Sequence, residues 1–364
     1  MAFISWLKSS VPGVLFLRNH VWRPSWRIFR SLSPRRIRAS NVQRIRQHSL
    51  PHMSDYDSAK GSFWLPFVMD SIKPGITTDA LNCSPLGFRY SINRLGKCIA
   101  PGDELQGPVS LLVGGSTVFG VGASSDELTV PSLLAKRRDE NWFNLGTRGA
   151  TLAQNLAQFM IFRQLIGPVK DIVILGGWND VTVFQMAPLF ARYYGLFHGF
   201  TLYFKTMNRS DVDITKREII FPEQWSSLIK LSIDKQETRP FFREHMSNVL
   251  DNWKFVADGL GARIQFVAQP VSFCCPHDLT EMERQWFATK SNLTSFEQAA
   301  QSFREWYLDM LAEECGAVDM PFANSNDAFG EGVEEPLFID PVHLTDRGNE
   351  EMATVIESTF PDSR

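Results

Sequence analysis

A serine, an aspartate and a histidine stand in two short segments more than two hundred residues apart, and their neighbours suit nucleophilic catalysis. The run Leu111-Leu112-Val113-Gly114-Gly115-Ser116-Thr117-Val118-Phe119-Gly120 reads as a buried strand that turns sharply at glycines. Such a turn exposes the next side chain, Ser116, at the carboxyl edge of a sheet, where pockets form. A serine hydroxyl is a weak nucleophile until a base takes its proton. Phe338-Ile339-Asp340-Pro341-Val342-His343-Leu344-Thr345 could supply one. A carboxylate three residues before an imidazole can bond one ring nitrogen, fix the tautomer and leave the other nitrogen free as a general base. Each segment alone also has a plainer reading, as a simple or phosphate-cradling turn and as an incidental Asp-x-x-His.

Two further segments end strands in glycine and could donate hydrogen bonds into the same place. Asn144-Leu145-Gly146-Thr147-Arg148-Gly149-Ala150-Thr151 offers backbone N–H groups, with Gly149 permitting close approach of a ligand. Ile172-Val173-Ile174-Leu175-Gly176-Gly177-Trp178-Asn179-Asp180 offers the Asn179 amide. Turn glycines at a helix entry and an Asn capping the next helix are the alternatives.

These loops need a sheet to gather them. Strand-like runs at Val109–Gly114, Trp142–Leu145, Asp171–Leu175, Arg263–Ala268 and Ala317–Phe322 alternate with helical stretches, the pattern of a parallel sheet flanked by helices. Leu152, Leu156, Phe159 and Met160 repeat at helical spacing, as do Phe242, Met246, Val249, Leu250 and Trp253. Ser295 with Gln298 has the form of a capping box before a helix that Gly316 would end, and Thr345 is placed to cap a helix carrying Met352, Val355 and Ile356. The expected organisation is an arm over residues 1–54, a linker and lead-in over 55–108, and an α/β domain over 109–364. That domain carries insertions at about 185–240 and 271–294. Insertions at strand ends either shape a substrate pocket, as a lid would, or only cover the sheet or form an oligomer contact.

In this order and spacing, the four segments resemble the blocks of the SGNH (GDSL-type) hydrolase family, over roughly Val109 to Ile356. The resemblance implies a three-layer α/β/α sandwich, flavodoxin-like, with a parallel sheet of about five strands. It implies Ser116 as nucleophile, His343 as base and Asp340 as its orienter. The N–H groups of Ser116 and Gly149 and the amide of Asn179 would form an oxyanion hole. The activity implied is hydrolysis of an acyl ester, such as an O-acetyl or short-chain ester of a carbohydrate or small molecule, without a cofactor. An O-acyltransferase using the same triad, and a noncatalytic binding module, are the other readings. One departure is plain: Gly-Gly-Ser-Thr stands where the family's name motif has Gly-Asp-Ser-Leu, which predicts altered packing of the turn.

Composition narrows the partners. Ten Lys or Arg residues precede the first acidic residue, Asp55; from there 27 basic residues face 40 acidic ones, a net −13 within an overall −3. An acidic body argues against nucleic acid as partner. The arm interleaves Trp6, Phe16, Trp22, Trp26 and Phe29 with arginines, which suits an anionic membrane surface or an acidic partner, or else packing on the body of the protein. Five cysteines lack disulfide or zinc spacing, and Cys274, Cys275 and His277 form a poor ligand set, so no metal is expected. With no apolar run of about 20 residues, the expectation is a cytoplasmic protein, peripheral at a membrane at most.

Overall fold

Strands buried on both faces must be apolar along their whole length, and the central segments meet that requirement. The computed structural model describes residues 48–59, 62–65, 67–186, 235–288 and 293–360. Most of the arm and residues 187–234 of the 185–240 insertion therefore lie outside the described residues. The chain enters through helix α1 (Met53–Ser58), the hairpin of β1 (Ser62–Leu65) and β2 (Met69–Ile72), and the short hairpin of β3 (Ser91–Ile92) and β4 (Cys98–Ile99). Then follow β5 (Val109–Gly114), α2 (Ser116–Phe119), α3 (Val130–Arg138), β6 (Asn141–Gly146), α4 (Leu152–Phe162), β7 (Val169–Gly176) and α5 (Trp178–Met186). After α6 (Lys235–Leu260) and β8 (Arg263–Ala268) come α7 (Glu281–Phe287), α8 (Leu293–Ser302), α9 (Leu308–Ala317), β9 (Phe322–Asn324) and α10 (Asp346–Thr359).

Strands β5 to β9 form one parallel sheet in the order β6-β5-β7-β8-β9, with helices on both faces. Alternation along the strands divides the core. Leu111, Val113, Ile172 and Ile174 pack with Phe159 of α4 and Trp253 of α6, while Leu112, Val173 and Leu175 pack with Leu134 of α3 and with Met352 and Ile356 of α10. Burying each such side chain contributes roughly 1.5–3 kcal/mol, so a register slip in a central strand is heavily penalised. The result is the three-layer α/β/α sandwich. Among the described residues no helix is long and apolar enough to cross a membrane.

The chain runs outward from β5 to β6, then crosses back to β7 on the other side of β5. At that reversal the loops leaving neighbouring strands diverge and open a crevice at the carboxyl ends of the strands. The three loops that follow β5, β6 and β7 are those expected to carry Ser116, Gly149 and Asn179.

Several local expectations shift. The last strand is Phe322–Asn324 rather than Ala317–Phe322, because the preceding helix runs through Ala317 and the chain reverses at Asp319, in the left-handed region with φ 53°. Gly316 thus lies inside the helix it was expected to end. Helix α8 starts at Leu293, which places Ser295 within it, and a five-residue π-helical stretch, Phe303–Tyr307, joins it to α9. The α6 stripe from Phe242 to Trp253 is buried as expected, but on α4 Met160 is exposed. Residues 53–58, expected at the junction of the arm and the linker, form a helix with Met53 and Tyr56 buried.

Candidate active site

Ser116 is the first residue of α2, directly beyond β5 and the two glycines. The first N–H groups of a helix have no intrahelical acceptor, so the Ser116 amide points outward beside its own hydroxyl. Chain crowding requires the glycines. A Cβ on Gly114 would lie 2.1 Å from the Leu175 carbonyl oxygen of the neighbouring strand, and one on Gly115 would lie 2.3 Å from the Asn179 amide nitrogen.

The Asp340–His343 turn closes over this helix. His343 Nε2 lies 2.8 Å from Ser116 Oγ, and its Nδ1 lies 2.9 Å from both carboxylate oxygens of Asp340. Asp340 Oδ1 also accepts the backbone N–H groups of Val342 and His343, so the carboxylate shapes the turn it belongs to. A ring whose Nδ1–H is held by a carboxylate presents a bare Nε2 to the hydroxyl, the protonation pattern a general base needs. Thr345 caps α10 through Gly348 N–H, as expected, and fixes where the turn ends.

The loops that carry Gly149 and Asn179 meet each other at the same edge. Asn179, at the start of α5, donates from its side-chain amide to the Ala150 carbonyl at 2.8 Å, which keeps one amide hydrogen for another acceptor. Gly149 sits in the left-handed region, φ 73°, and its N–H has no protein acceptor among the described residues. Ser116, Asp340 and His343 are thus in direct contact, and Asn179 is tied to the residue that follows Gly149.

Four supporting groups went unnoticed in the sequence. Arg89 is fully buried; it pairs with Asp126 at 2.8 Å and donates to Tyr56 Oη and to the Ala80, Phe119 and Gly120 carbonyls. Two of those carbonyls end α2, so a cation from the lead-in segment satisfies the C-terminus of the helix that carries Ser116. Glu283, in the 271–294 stretch, accepts the N–H groups of Leu337 and Phe338, just before Asp340, and is held by His277 Nε2 at 3.0 Å. His277 therefore turns its Nε2 to a carboxylate rather than toward Cys274 and Cys275, and burial pushes the Cys274 thiol up to about 11. The third group is Thr117, whose hydroxyl reaches the Val342 carbonyl. No local pattern marks Arg89; Glu283 closes a Thr-x-x-Glu capping box with Thr280, which marks a helix start but not its reach to Leu337 and Phe338, and Thr117 stands beside Ser116.

The fourth group, Asp180, is buried beside Asn179 and accepts Leu152 N–H at 3.0 Å, at the start of α4. Burial pushes its carboxyl up to about 7, against the pull of that N–H group and its own. The fold therefore holds a proton there that the unfolded chain releases near 3.8. The contribution to stability is fully present below about pH 4 and is lost as pH rises through about 7, where ionising the buried group costs about 4 kcal/mol. Asp180→Asn keeps an acceptor for Leu152 and removes the titration. Urea unfolding should show it more stable than the parent by up to about 4 kcal/mol at pH 8 and nearly equal at pH 4. A difference that does not change with pH would contradict this.

No family model matches the chain, and no curated protein matches it. Solved structures do. A member of the lipolytic protein G-D-S-L family from Veillonella parvula DSM 2008 is 9% identical, with a TM-score of 0.40 over 70% of this chain and 98% of that one. The chain is similar to G-D-S-L lipolytic proteins. An extracellular lipase from Streptomyces rimosus (12% identity, TM-score 0.38, 70% and 100% coverage) and an acetyl xylan esterase from Geobacillus stearothermophilus (13%, 0.37, 70% and 95%) are similar at the same level. Identities this low leave any functional reading to the atoms of the site.

Proposed function

We propose that this chain is a serine ester hydrolase of the SGNH (GDSL-type) kind, which cleaves an acyl ester through an acyl-enzyme. The observation that carries the reading is the unbroken contact from Asp340 through the His343 ring to Ser116 Oγ, with both ring nitrogens engaged within 2.9 Å. In this reading His343 Nε2 takes the Ser116 proton as Oγ attacks the acyl carbonyl, and Asp340 stabilises the imidazolium that results. The carbonyl oxygen becomes an oxyanion and is received by the N–H groups of Ser116 and Gly149 and the free amide hydrogen of Asn179. His343 then returns the proton to the departing alcohol. Water, activated by the same nitrogen, attacks the acyl-serine, and collapse of the second tetrahedral intermediate frees the acid and restores Ser116.

The acyl group we propose is an acetyl or other short chain on a carbohydrate or small molecule. A fluorophosphonate probe tests the nucleophile directly. The parent should gain one adduct, on the peptide containing Ser116, while Ser116→Ala should gain none. Equal labelling of both proteins would remove Ser116 from the chemistry.

A further inference from the structure

The turn that holds Ser116 departs from the Gly-Asp-Ser-Leu pattern at a second position, and the substituted residue makes a bond that leucine could not. Thr117, buried in α2, donates its hydroxyl to the carbonyl of Val342 at 3.1 Å. Val342 immediately precedes His343, and Thr117 immediately follows Ser116. Beside the Ser116–His343 contact, this bond joins α2 to the base-bearing turn.

Other groups hold that turn from elsewhere. Ser272 N–H donates to the Pro341 carbonyl at 3.0 Å, and Ile339 N–H to the His343 carbonyl at 2.9 Å. Those bonds fix the shape of the turn and seat it on the β8 side of the fold. The Thr117 bond ties the peptide between Val342 and His343 to the same short helix that carries Ser116. Farther along the chain, Ser124 N–H donates to Asp346 Oδ1 at 2.8 Å, beyond the turn itself. Leaving a hydroxyl donor bare in a buried place costs about 1–3 kcal/mol, which favours keeping the bond.

We infer that Thr117 is a positioning residue, which sets the separation of Ser116 Oγ and His343 Nε2 through the Val342 carbonyl. The inference rests on the proposed roles of Ser116 and His343. Its action is on geometry, so it belongs to the chemical step rather than to substrate binding. Small displacements of reacting groups are expensive, and about 1 Å can cost on the order of 10²-fold in rate.

A crossed pair of substitutions separates the hydroxyl from the packing. Thr117→Val keeps the shape and loses the donor; Thr117→Ser keeps the donor and loses a methyl. The expected result is a roughly 10- to 100-fold fall in kcat for Thr117→Val on p-nitrophenyl acetate, with KM within about twofold and an equal fall in the fluorophosphonate labelling rate. Thr117→Ser should stay close to the parent. Parent-like turnover by Thr117→Val, or equal losses in both variants, would overturn the inference. Crystals of Thr117→Val give a readout that does not depend on turnover. A Ser116–His343 contact opened beyond hydrogen-bond reach supports the inference, and one retained at 2.8 Å overturns it. Ser116→Ala as active as the parent would instead count against the proposed function, so the two failures are distinguishable.

Discussion

Ser116→Ala and His343→Ala are each expected to lower kcat for p-nitrophenyl acetate by about 10⁴- to 10⁶-fold, and the double variant no further. The non-additivity follows from the geometry. The hydroxyl is useful only while Nε2, 2.8 Å away, can accept its proton, and Nε2 has no task in acyl transfer without the hydroxyl. Removing either therefore removes the same step. What survives in all three variants is water attack on an ester still held against the oxyanion donors, so the residual rates should converge. Asp340→Asn should fall between the parent and these variants, because an amide cannot hold Nδ1–H from two oxygens and invites the wrong tautomer. Steady-state kinetics on the parent and the four variants, with thermal unfolding to verify the fold, measures this. A double variant much slower than both singles would mean that Ser116 and His343 act independently.

Introducing the acidic residue of the Gly-Asp-Ser-Leu pattern at position 115 should impair this chain rather than improve it. Gly115→Asp, and even Gly115→Ala, is expected to reduce kcat by about 10²- to 10³-fold, the effect typical of losing one oxyanion donor. The cause is steric and specific. A Cβ at position 115 would stand 2.3 Å from Asn179 Nδ2, and the nearest atom able to give way is that amide, at the end of a side chain. Asn179 would swing off the Ala150 carbonyl that now orients it, taking its second hydrogen away from the site. Asn179→Ala should match Gly115→Ala in size, and combining the two should add little, since both remove one donor. Melting temperatures should change by only a few degrees, because the collision is relieved by a side chain and not by the sheet. Should Gly115→Ala hydrolyse esters like the parent, the amide does not occupy the role given to it.

Local pattern was enough for the central strands, for the stripe from Phe242 to Trp253, for the Thr345 cap and for the glycine-ended turns that carry Ser116, Gly149 and Asn179. Periodicity, turn chemistry and capping act over a few residues, so they can be read where they stand. The same signals erred at Gly316 and Ser295, where packing of the helix against the core through Phe303, Tyr307 and Leu311 carries it past a local stop and starts it before a local cap. Contacts between distant segments leave no such trace. Arg89 reaches the end of α2, Glu283 takes the amides ahead of Asp340, and the Asn179 amide fills the space left by Gly115 because the sheet order brings β5, β6 and β7 together. Each depends on which surfaces face one another after folding, which is set by burial of the whole core and not by the residues on either side of the contact.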